Sequence, residues 1–357
     1  MHRYQYYLVL LCTLISPILY VPRLLLEARY SGAMTAVGIA ILIGILINYL
    51  FKKSLQPFQE LSLTEILEQY VPSSIRFFLF SLFGLTWFAA GASVLISISF
   101  VIKGFINPTM DIYVLLLCFL IAGCWAALRT TMTILYNLEL WLIIIIPLIL
   151  FIWIKTIRNE TFSWDAVLTM NDYLLNAPSW DLIAVSSFLF TGYISLSICP
   201  VNHHPKRNFH WLWLIPLIGT VVFSATFFIP IGIHGTQAVD KYVYIWVNTA
   251  DSIQIKHGVI ERGVFLHLIS YIIMSLLFIS TSWHVAAEWM NGAIKHHSAH
   301  VKRILVGIVG IIVFVVGYYA SEKQVMTLTN SWFSIRFIAE LLLVAVMLGV
   351  RRRVRCE

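Results

Sequence analysis

The sequence predicts an all-α integral membrane protein with ten transmembrane helices, and two observations carry this prediction. Hydrophobic residues make up 60% of the 357 residues and charged residues only 11%, whereas soluble domains are about 45–50% apolar and about 25% charged. The apolar runs are also close to the roughly 20 residues that a helix needs to cross the hydrocarbon core. Because backbone groups in lipid must pair within their own segment, runs of this length are expected to be helices.

The same composition excludes other classes of protein. It excludes a soluble enzyme, a disordered protein and a nucleic-acid-binding domain, and the runs lack the alternating pattern of a membrane β-barrel. The net charge of +7 comes from 24 Lys and Arg against 17 Asp and Glu. These residues are scattered between apolar runs, so no nucleic-acid partner is expected. The five cysteines are an odd number without a CxxC pair, which favours small buried apolar side chains over a disulfide framework.

The spans follow one another along the whole chain. The first is expected to be retained, because its apolar stretch at 6–26 is long for a signal-peptide core and lacks a small-x-small cleavage site. Of the two longest connections, 156–179 and 233–261, the second holds the aromatic stretch 239–248, which we expect to form a short interfacial helix. The ten spans are predicted near residues 5–26, 32–51, 75–102, 112–128, 134–155, 180–200, 211–232, 262–284, 303–319 and 331–350.

The distribution of basic residues predicts the orientation. An even number of spans leaves both termini on the same side of the membrane. If that side is the cytoplasm, 14 of the 24 Lys and Arg lie inside and 10 lie outside. The difference of four equals the four arginines of the RRRVR run at 351–355. The positive-inside rule then predicts that both termini are cytoplasmic.

The ten spans form one transmembrane domain that divides into two halves of five, residues 1–155 and 180–350. An odd number of spans per half gives the halves opposite orientations, as in the inverted repeats of many secondary transporters. Each half begins with an interrupted helix: span one at Ser16-Pro17 and again at Pro22-Arg23, and span six at Thr191-Gly192. Matching breaks indicate a binding site near the bilayer midplane, although Gly and Pro are also frequent in ordinary membrane helices.

Three segments carry a family resemblance. The first is the VPRLL end of span one at 21–25, and the second runs from Ser187 through Gly192 to Pro200, with HHPKR after it. The third is the Ile260-Glu261-Arg262 sequence that opens span eight, whose end reads AAEW at 286–289. In this order they resemble the endospore germination permease family, the B subunits of nutrient germinant receptors, within the amino acid–polyamine–organocation superfamily. The resemblance covers nearly the whole chain in length, span count and order.

The resemblance implies a fold, a location and partners. The fold would be LeuT-like, with spans one and six unwound at their centres. The protein would lie in the inner membrane of a bacterial spore, together with an A subunit and a lipoprotein C subunit. Its ligand would be a small nutrient, often an amino acid, and no cofactor is implied.

The candidate ligand site lies between the two breaks. Pro17 has no N–H and frees backbone groups in the membrane, and a half-helix that starts near Ile18 to Tyr20 would suit a carboxylate. Gly192 permits close approach of a ligand. The alternatives are a simple proline kink and helix packing at a small residue. The predicted ligand-binding residues are Thr13, Ser16, Pro17, Ile18, Thr191, Gly192 and Tyr193, with Trp87, Gly91 and Tyr271 where a LeuT-like fold would close the pocket.

Ionisable residues in membrane segments are functional candidates by default. Glu261-Arg262, Arg336 and Glu340 are predicted near span ends, where ion pairs or snorkelling account for them. His267 lies deeper and is expected to be neutral and satisfied, with a proton-linked role as the alternative. The eleven histidines include the i, i+4 pair of His284 with Glu288, but no HExxH or Cys/His ligand set occurs, so no metal site is expected.

No catalytic motif stands out either. The chain has no GxSxG, no P-loop and no glycine-rich dinucleotide motif after a strand, so an enzyme is not expected. Three hypotheses remain: a receptor subunit that binds a nutrient and signals through partners, an autonomous amino-acid permease, and a structural scaffold with a vestigial pocket. The first two need the same pocket, and the sequence does not separate them.

Overall fold

The computed structural model describes residues 2–58, 61–196, 212–254, 261–293 and 299–356. Within these ranges the chain forms no β-strand, and nearly all of it is helical. The helices, numbered along the chain, are α1 His2–Ile15, α2 Val21–Glu27, α3 Ala33–Leu55, α4 Leu63–Tyr70, α5 Ser73–Phe105, α6 Ile112–Ala127, α7 Thr131–Ile157, α8 Trp164–Leu168, α9 Trp180–Thr191, α10 Leu214–Ala238, α11 Ile245–Asp251, α12 Gly263–Ala293, α13 Ala299–Tyr319 and α14 Glu322–Cys356.

Seven of these helices are long and apolar enough to cross a membrane, namely α3, α5, α7, α10, α12, α13 and α14. Three further apolar helices are shorter and consist of 4–15 within α1, all of α6 and all of α9. Each of the ten predicted spans overlaps one of these ten helices. The protein is therefore an all-helical, multi-pass membrane protein, as the composition predicts.

Capping boxes explain two helix starts that hydropathy does not predict. Ser62 caps α4, with Glu65 bonding back to the Ser62 amide. Ser321 and Gln324 form the same reciprocal arrangement at the start of α14, and such a pair satisfies two of the free amides of a first turn. As a result α14 begins at residue 322, nine residues before the predicted span, and it extends through the predicted end at residue 350.

The earlier start of α14 corrects the position of its two ionisable residues. Arg336 and Glu340 are predicted near a span end, but they lie in the middle of this helix. Other boundaries also move: α12 continues to Ala293, beyond the predicted end at 284, and the short helix predicted at 239–248 is found at Ile245–Asp251. The polar end residues of these helices extend the apolar spans by several residues.

The centre of the bundle is the packing of α5 against α12, the most extensive helix–helix contact of the described chain. Helices α3, α9 and α14 pack together, with α14 against α5. Helices α1, α7 and α10 contact one another, with α1 and α7 against α12. Large apolar side chains on α7 and α13, such as Ile143 and Ile311, remain exposed. In a membrane protein such surfaces face lipid, so these helices lie at the periphery.

Candidate functional site

The break in span one is a tight turn over residues 16–20, between the end of α1 and the start of α2. The Ile18 amide bonds to the Ile15 carbonyl at the end of α1, and the amides of Tyr20 and Val21 bond to carbonyls within the turn. The second half-helix therefore starts at Val21, not at Ile18 to Tyr20 as predicted, with Pro22 in its first turn, where a proline is well tolerated. Because these amides are already paired, the predicted backbone site for a carboxylate is not formed in this conformation.

Tyr20 fixes this turn in an unusual conformation. Its backbone is left-handed, with φ 61°, which costs a non-glycine residue about 1–2 kcal/mol. The buried hydroxyl of Tyr20 accepts a hydrogen bond from Ser97 of α5 at 2.9 Å and lies 3.0 Å from the hydroxyl of Tyr244 at the start of α11. These uncharged hydroxyl groups fasten the span-one break to two neighbouring elements.

The break in span six follows Thr191, where α9 ends. The Gly192 amide still bonds to the Phe188 carbonyl at 3.1 Å, and a short 3-10 turn follows at Ile194–Leu196. A Cβ atom at Gly192 would lie 2.6 Å from the Phe188 ring, so this glycine also serves close packing. Residues 197–211, including Pro200 and the HHPKR stretch, lie outside the described residues.

A buried ion pair from α14 holds the end of α9. Arg336 Nη1 lies 2.7 Å from Glu340 Oε2, and both side chains are almost fully buried. Thr191 Oγ1 lies 2.8 Å from the same carboxylate oxygen. Arg336 Nη2 donates to the Ser187 hydroxyl at 2.6 Å and to the Ala184 carbonyl at 3.1 Å. The pair therefore connects α14 to the last two turns of α9.

This ion pair is incompletely satisfied. Arg336 Nε and Glu340 Oε1 have no hydrogen-bond partner among the described residues, and a buried charge is stable only when its remaining donors and acceptors are paired. Cys12 of α1 and Tyr193 after the span-six break lie within electrostatic range of Glu340. The pair thus lies within electrostatic range of both broken helices, and within the described ranges its Arg336 Nε and Glu340 Oε1 lack partners.

A small cavity lies beside the span-one break. Leu14 of α1 and Pro17 of the following turn line it, together with His267 and Tyr271 of α12 and Trp246 of α11. The volume of this cavity is about 10 Å3, which is room for about one water molecule. The His267 ring packs against Tyr271, with 3.9 Å between ring centroids. Its Nε2 has no partner among the described residues, so the expectation of a satisfied histidine is wrong for this nitrogen.

The predicted site residues fall into two groups. Pro17 and Tyr271 share the cavity. Thr191 contacts the ion pair, and Trp87 reaches the same break because its Nε1 donates to the Ser195 hydroxyl at 3.1 Å. Tyr193 donates to Asn48 of α3. Among the described residues, the predicted site residues therefore join the two breaks separately.

The remaining predicted residues have local roles. Thr13 donates to the Leu10 carbonyl of its own helix at 3.1 Å, and Ile18 is buried. The buried Ser16 hydroxyl has no partner among the described residues. Gly91 permits the crossing of α5 and α12, since a Cβ atom there would lie 2.4 Å from Trp283 Nε1.

Arg336 and Glu340 are predicted from the sequence as residues of a span end and not as part of the site. Their i, i+4 spacing on one helix face is the signal that a charged pair was available. No group of three His, Cys, Asp or Glu residues that could hold a metal occurs in the described part of the chain. His203, His204, His210, His296 and His297 lie outside the described residues.

The family follows from comparison with known proteins. Residues 3–348 match the model of a spore permease family whose description is spore germination protein. No curated protein matches the chain. Since the match covers nearly all of the sequence, this membrane protein belongs to the spore germination permease family.

Proposed function

We propose that this protein is the transporter-like B subunit of a spore germinant receptor. It binds a small nutrient of the amino-acid class and signals germination together with an A subunit and a lipoprotein C subunit. Family membership supports the role in germination, and the paired helix breaks support a transporter-like site. The proposed location is the inner membrane of the spore, with both termini in the cytoplasm.

The proposal includes a LeuT-like arrangement of ten spans, with residues 1–155 and 180–350 as inverted five-helix repeats. The breaks support it, because α1 and α9 are the first apolar helices of their halves and each ends in a turn within the bundle. Broken helices at corresponding places in two repeats characterise the midplane sites of secondary transporters.

The observation that carries the ligand site is the cavity at Pro17 with the unpaired nitrogen of His267. Buried polar atoms nearly always have a partner, and a bound ligand can supply one. The cavity is far below the about 300 Å3 at which pockets for drug-sized ligands begin. We therefore assign this conformation to the closed receptor, and the nutrient shifts the population towards an open state that it binds more tightly.

The ion pair complements the ends of an amino acid. Arg336 Nε suits a carboxylate and Glu340 Oε1 suits an ammonium group, and both atoms lack partners among the described residues. Cys12 of α1 lies within electrostatic range of the pair, and Pro17, five residues later in the turn after α1, lines the cavity. The proposed pose has the zwitterion at the pair and the nutrient side chain in the cavity. The buried Ser16 hydroxyl, next to Pro17 in the chain, has no partner among the described residues.

The test is a dose–response measurement on spores that carry this receptor as their nutrient receptor. His267→Leu should raise the nutrient concentration for half-maximal germination about tenfold or more, because one ligand hydrogen bond to a buried partner is lost. His267→Gln keeps a donor and an acceptor and should recover part of the response. Unchanged sensitivity of His267→Leu at normal membrane level would remove the cavity from the proposal.

The alternative function is an autonomous amino-acid permease, since broken helices with a midplane site also serve transport. Uptake of a labelled amino acid by the purified chain in liposomes distinguishes the two. Sustained uptake without partners would favour the permease. Co-purification of an A subunit from spore membranes, with no uptake by the chain alone, is the result expected for a receptor subunit.

A further inference from the structure

A cationic cavity opens where the α6–α7 connection meets the facing ends of α12 and α13. Its volume is about 360 Å3. Arg129, Lys302 and Arg303 line it together with the buried His284, and Glu288 is the one acidic residue among the described residues of its wall. The wall therefore carries a net positive charge, which attracts anions.

Two of the three cations have no counter-charge. Lys302 pairs with Glu288, whereas Arg129 and Arg303 form no ion pair within the described ranges. The connection at 294–298, which lies outside the described residues, reads IKHHS and contains no acid. Two guanidinium groups at the mouth of this cavity are therefore available to an anion.

His284 fixes the wall of this cavity. Its Nδ1 lies 2.9 Å from the Ala127 carbonyl, and because a carbonyl only accepts, Nδ1 carries the proton. Its Nε2 lies 2.9 Å from the Thr131 hydroxyl at the start of α7. The imidazole thus holds the end of α6 and the start of α7 against α12.

An apolar groove continues from the cavity along the membrane-facing surface between α6, α7 and α12. Arg129 lines both spaces, and the groove has a volume of about 530 Å3. It runs past Leu277 and Ile273 of α12 to Trp141 of α7. From Thr131 to Trp141, ten helical residues cover about 15 Å at about 1.5 Å each. This is half of the about 30 Å hydrocarbon core, the depth of one leaflet.

Two side chains of the groove have the character of lipid anchors. Trp125 is 64% exposed, and the Arg129 guanidinium lies 4.0 Å from its ring centroid, an arrangement typical of the membrane interface. Asn137 exposes its amide inside the groove, although polar groups are rare on surfaces that face lipid. An ester carbonyl of a lipid is a suitable acceptor for this amide.

We propose that the cavity and the groove together bind an anionic phospholipid, with its phosphate at Arg129 and Arg303 and one acyl chain in the groove. The charge of the cavity selects an anionic headgroup, and the length of the groove matches one leaflet. The lipid connects α6 and α7 of the first half of the chain to α12 and α13 of the second half. The lipid lies in the membrane leaflet that contains the Arg129 end of α7.

The test compares phosphatidylglycerol with phosphatidylcholine on the full chain purified in detergent. Native mass spectrometry measures the retained lipid, and the thermal unfolding midpoint measures stabilisation. The wild type should retain phosphatidylglycerol preferentially. Arg129→Gln/Arg303→Gln should bind it about 25-fold more weakly, from about fivefold per basic residue near an anionic lipid.

A matched control removes the same charge from the other end of the bundle. Arg158 follows α7 at its opposite end, and Lys323 lies at the start of α14 beyond the far end of α13; both are exposed. Arg158→Gln/Lys323→Gln should keep the preference for phosphatidylglycerol. An equal loss in this control would show a general charge effect and would overturn the site.

Soluble anions separate the headgroup from the whole lipid. Inorganic phosphate and glycerol phosphate should raise the unfolding midpoint far less than phosphatidylglycerol, because they leave the groove empty. If either one reproduces the full stabilisation, the cavity binds a soluble anion and the lipid assignment is wrong. Equal retention of phosphatidylglycerol and phosphatidylcholine by the wild type would also overturn it.

Discussion

The two broken helices are held in different ways. The span-one break is fastened by uncharged hydroxyls around Tyr20 and lies beside a cavity. The span-six break is fastened by the Arg336–Glu340 pair, and Phe188 fills the space at Gly192. Similar breaks in the two halves of one chain therefore differ in charge and in free space.

This difference indicates that the span-one break is the more mobile of the two and the span-six break the more fixed. A neutral hydrogen bond contributes about 0.5–1.5 kcal/mol net and a hydrogen bond to a charged group about 1.5–3 kcal/mol. The charged pair on α14 makes several bonds of the second kind to α9. The span-one break also has the strained Tyr20 conformation and adjoining space. We therefore expect nutrient binding to move α1 and α2, while α9 stays attached to α14.

The largest expected effect comes from breaking the ion pair. Glu340→Leu leaves the buried Arg336 guanidinium without its counter-charge and should destabilise the protein by about 3–5 kcal/mol. The thermal unfolding midpoint in detergent measures this loss. Arg336→Leu/Glu340→Leu should be more stable than Glu340→Leu alone, because two apolar side chains replace an uncompensated charge.

An exposed ion pair is the control for that comparison. Arg262 pairs with Asp251, and both side chains are well exposed. Arg262→Gln should change stability by no more than about 1 kcal/mol, as is usual for surface pairs. If Glu340→Leu were as mild as Arg262→Gln, the span-six break would not depend on the charged pair.

The next effect concerns free space. Gly192→Leu places a side chain against the Phe188 ring, and overpacking costs about 1–3 kcal/mol. The variant should still insert, because leucine is favourable in lipid, but nutrient-triggered germination should be lost or strongly weakened. Gly38→Leu is the control, since a Cβ atom at Gly38 meets nothing within 4 Å. A normal germination response of Gly192→Leu at normal membrane level would remove the span-six break from the proposed site.

The sequence predicted the helices better than the site. Hydropathy located all ten apolar helices, and the breaks at Pro17 and Gly192 were visible because proline and glycine interrupt helices by their own geometry. The ion pair was misplaced because the Ser321–Gln324 capping box, which moves the start of α14, is a polar signal that hydropathy ignores. The unpaired His267 nitrogen was out of reach, since whether a buried atom has a partner depends on contacts between distant helices.

A smaller effect is expected at the uncharged break. Tyr20→Phe removes the hydroxyl that connects Ser97 and Tyr244, and the loss should be about 1–3 kcal/mol because the buried Ser97 hydroxyl loses its acceptor. The Tyr244 hydroxyl keeps its bond to the Ser97 carbonyl. Since the same bonds hold the break closed, the variant should also respond to less nutrient. Tyr30→Phe is the control, because its hydroxyl bond to the Thr236 carbonyl is exposed. A Tyr20→Phe receptor with normal stability and sensitivity would contradict a hydroxyl-held break.

The smallest effect is expected for Thr191→Val, which keeps the shape of the side chain and removes one hydroxyl. Glu340 would lose one hydrogen bond but keep Arg336, so the cost should be about 1 kcal/mol, and Thr191→Ser should restore most of it. Thr327→Val is the control, because its hydroxyl bonds to the carbonyl four residues earlier on an exposed face of α14. The nutrient concentration for half-maximal germination should rise about fivefold for Thr191→Val alone, as expected from about 1 kcal/mol. If Thr191→Val weakened the response more than Glu340→Leu, the Thr191 hydroxyl itself would contact the nutrient. The span-six break would then not be the fixed one of the two breaks.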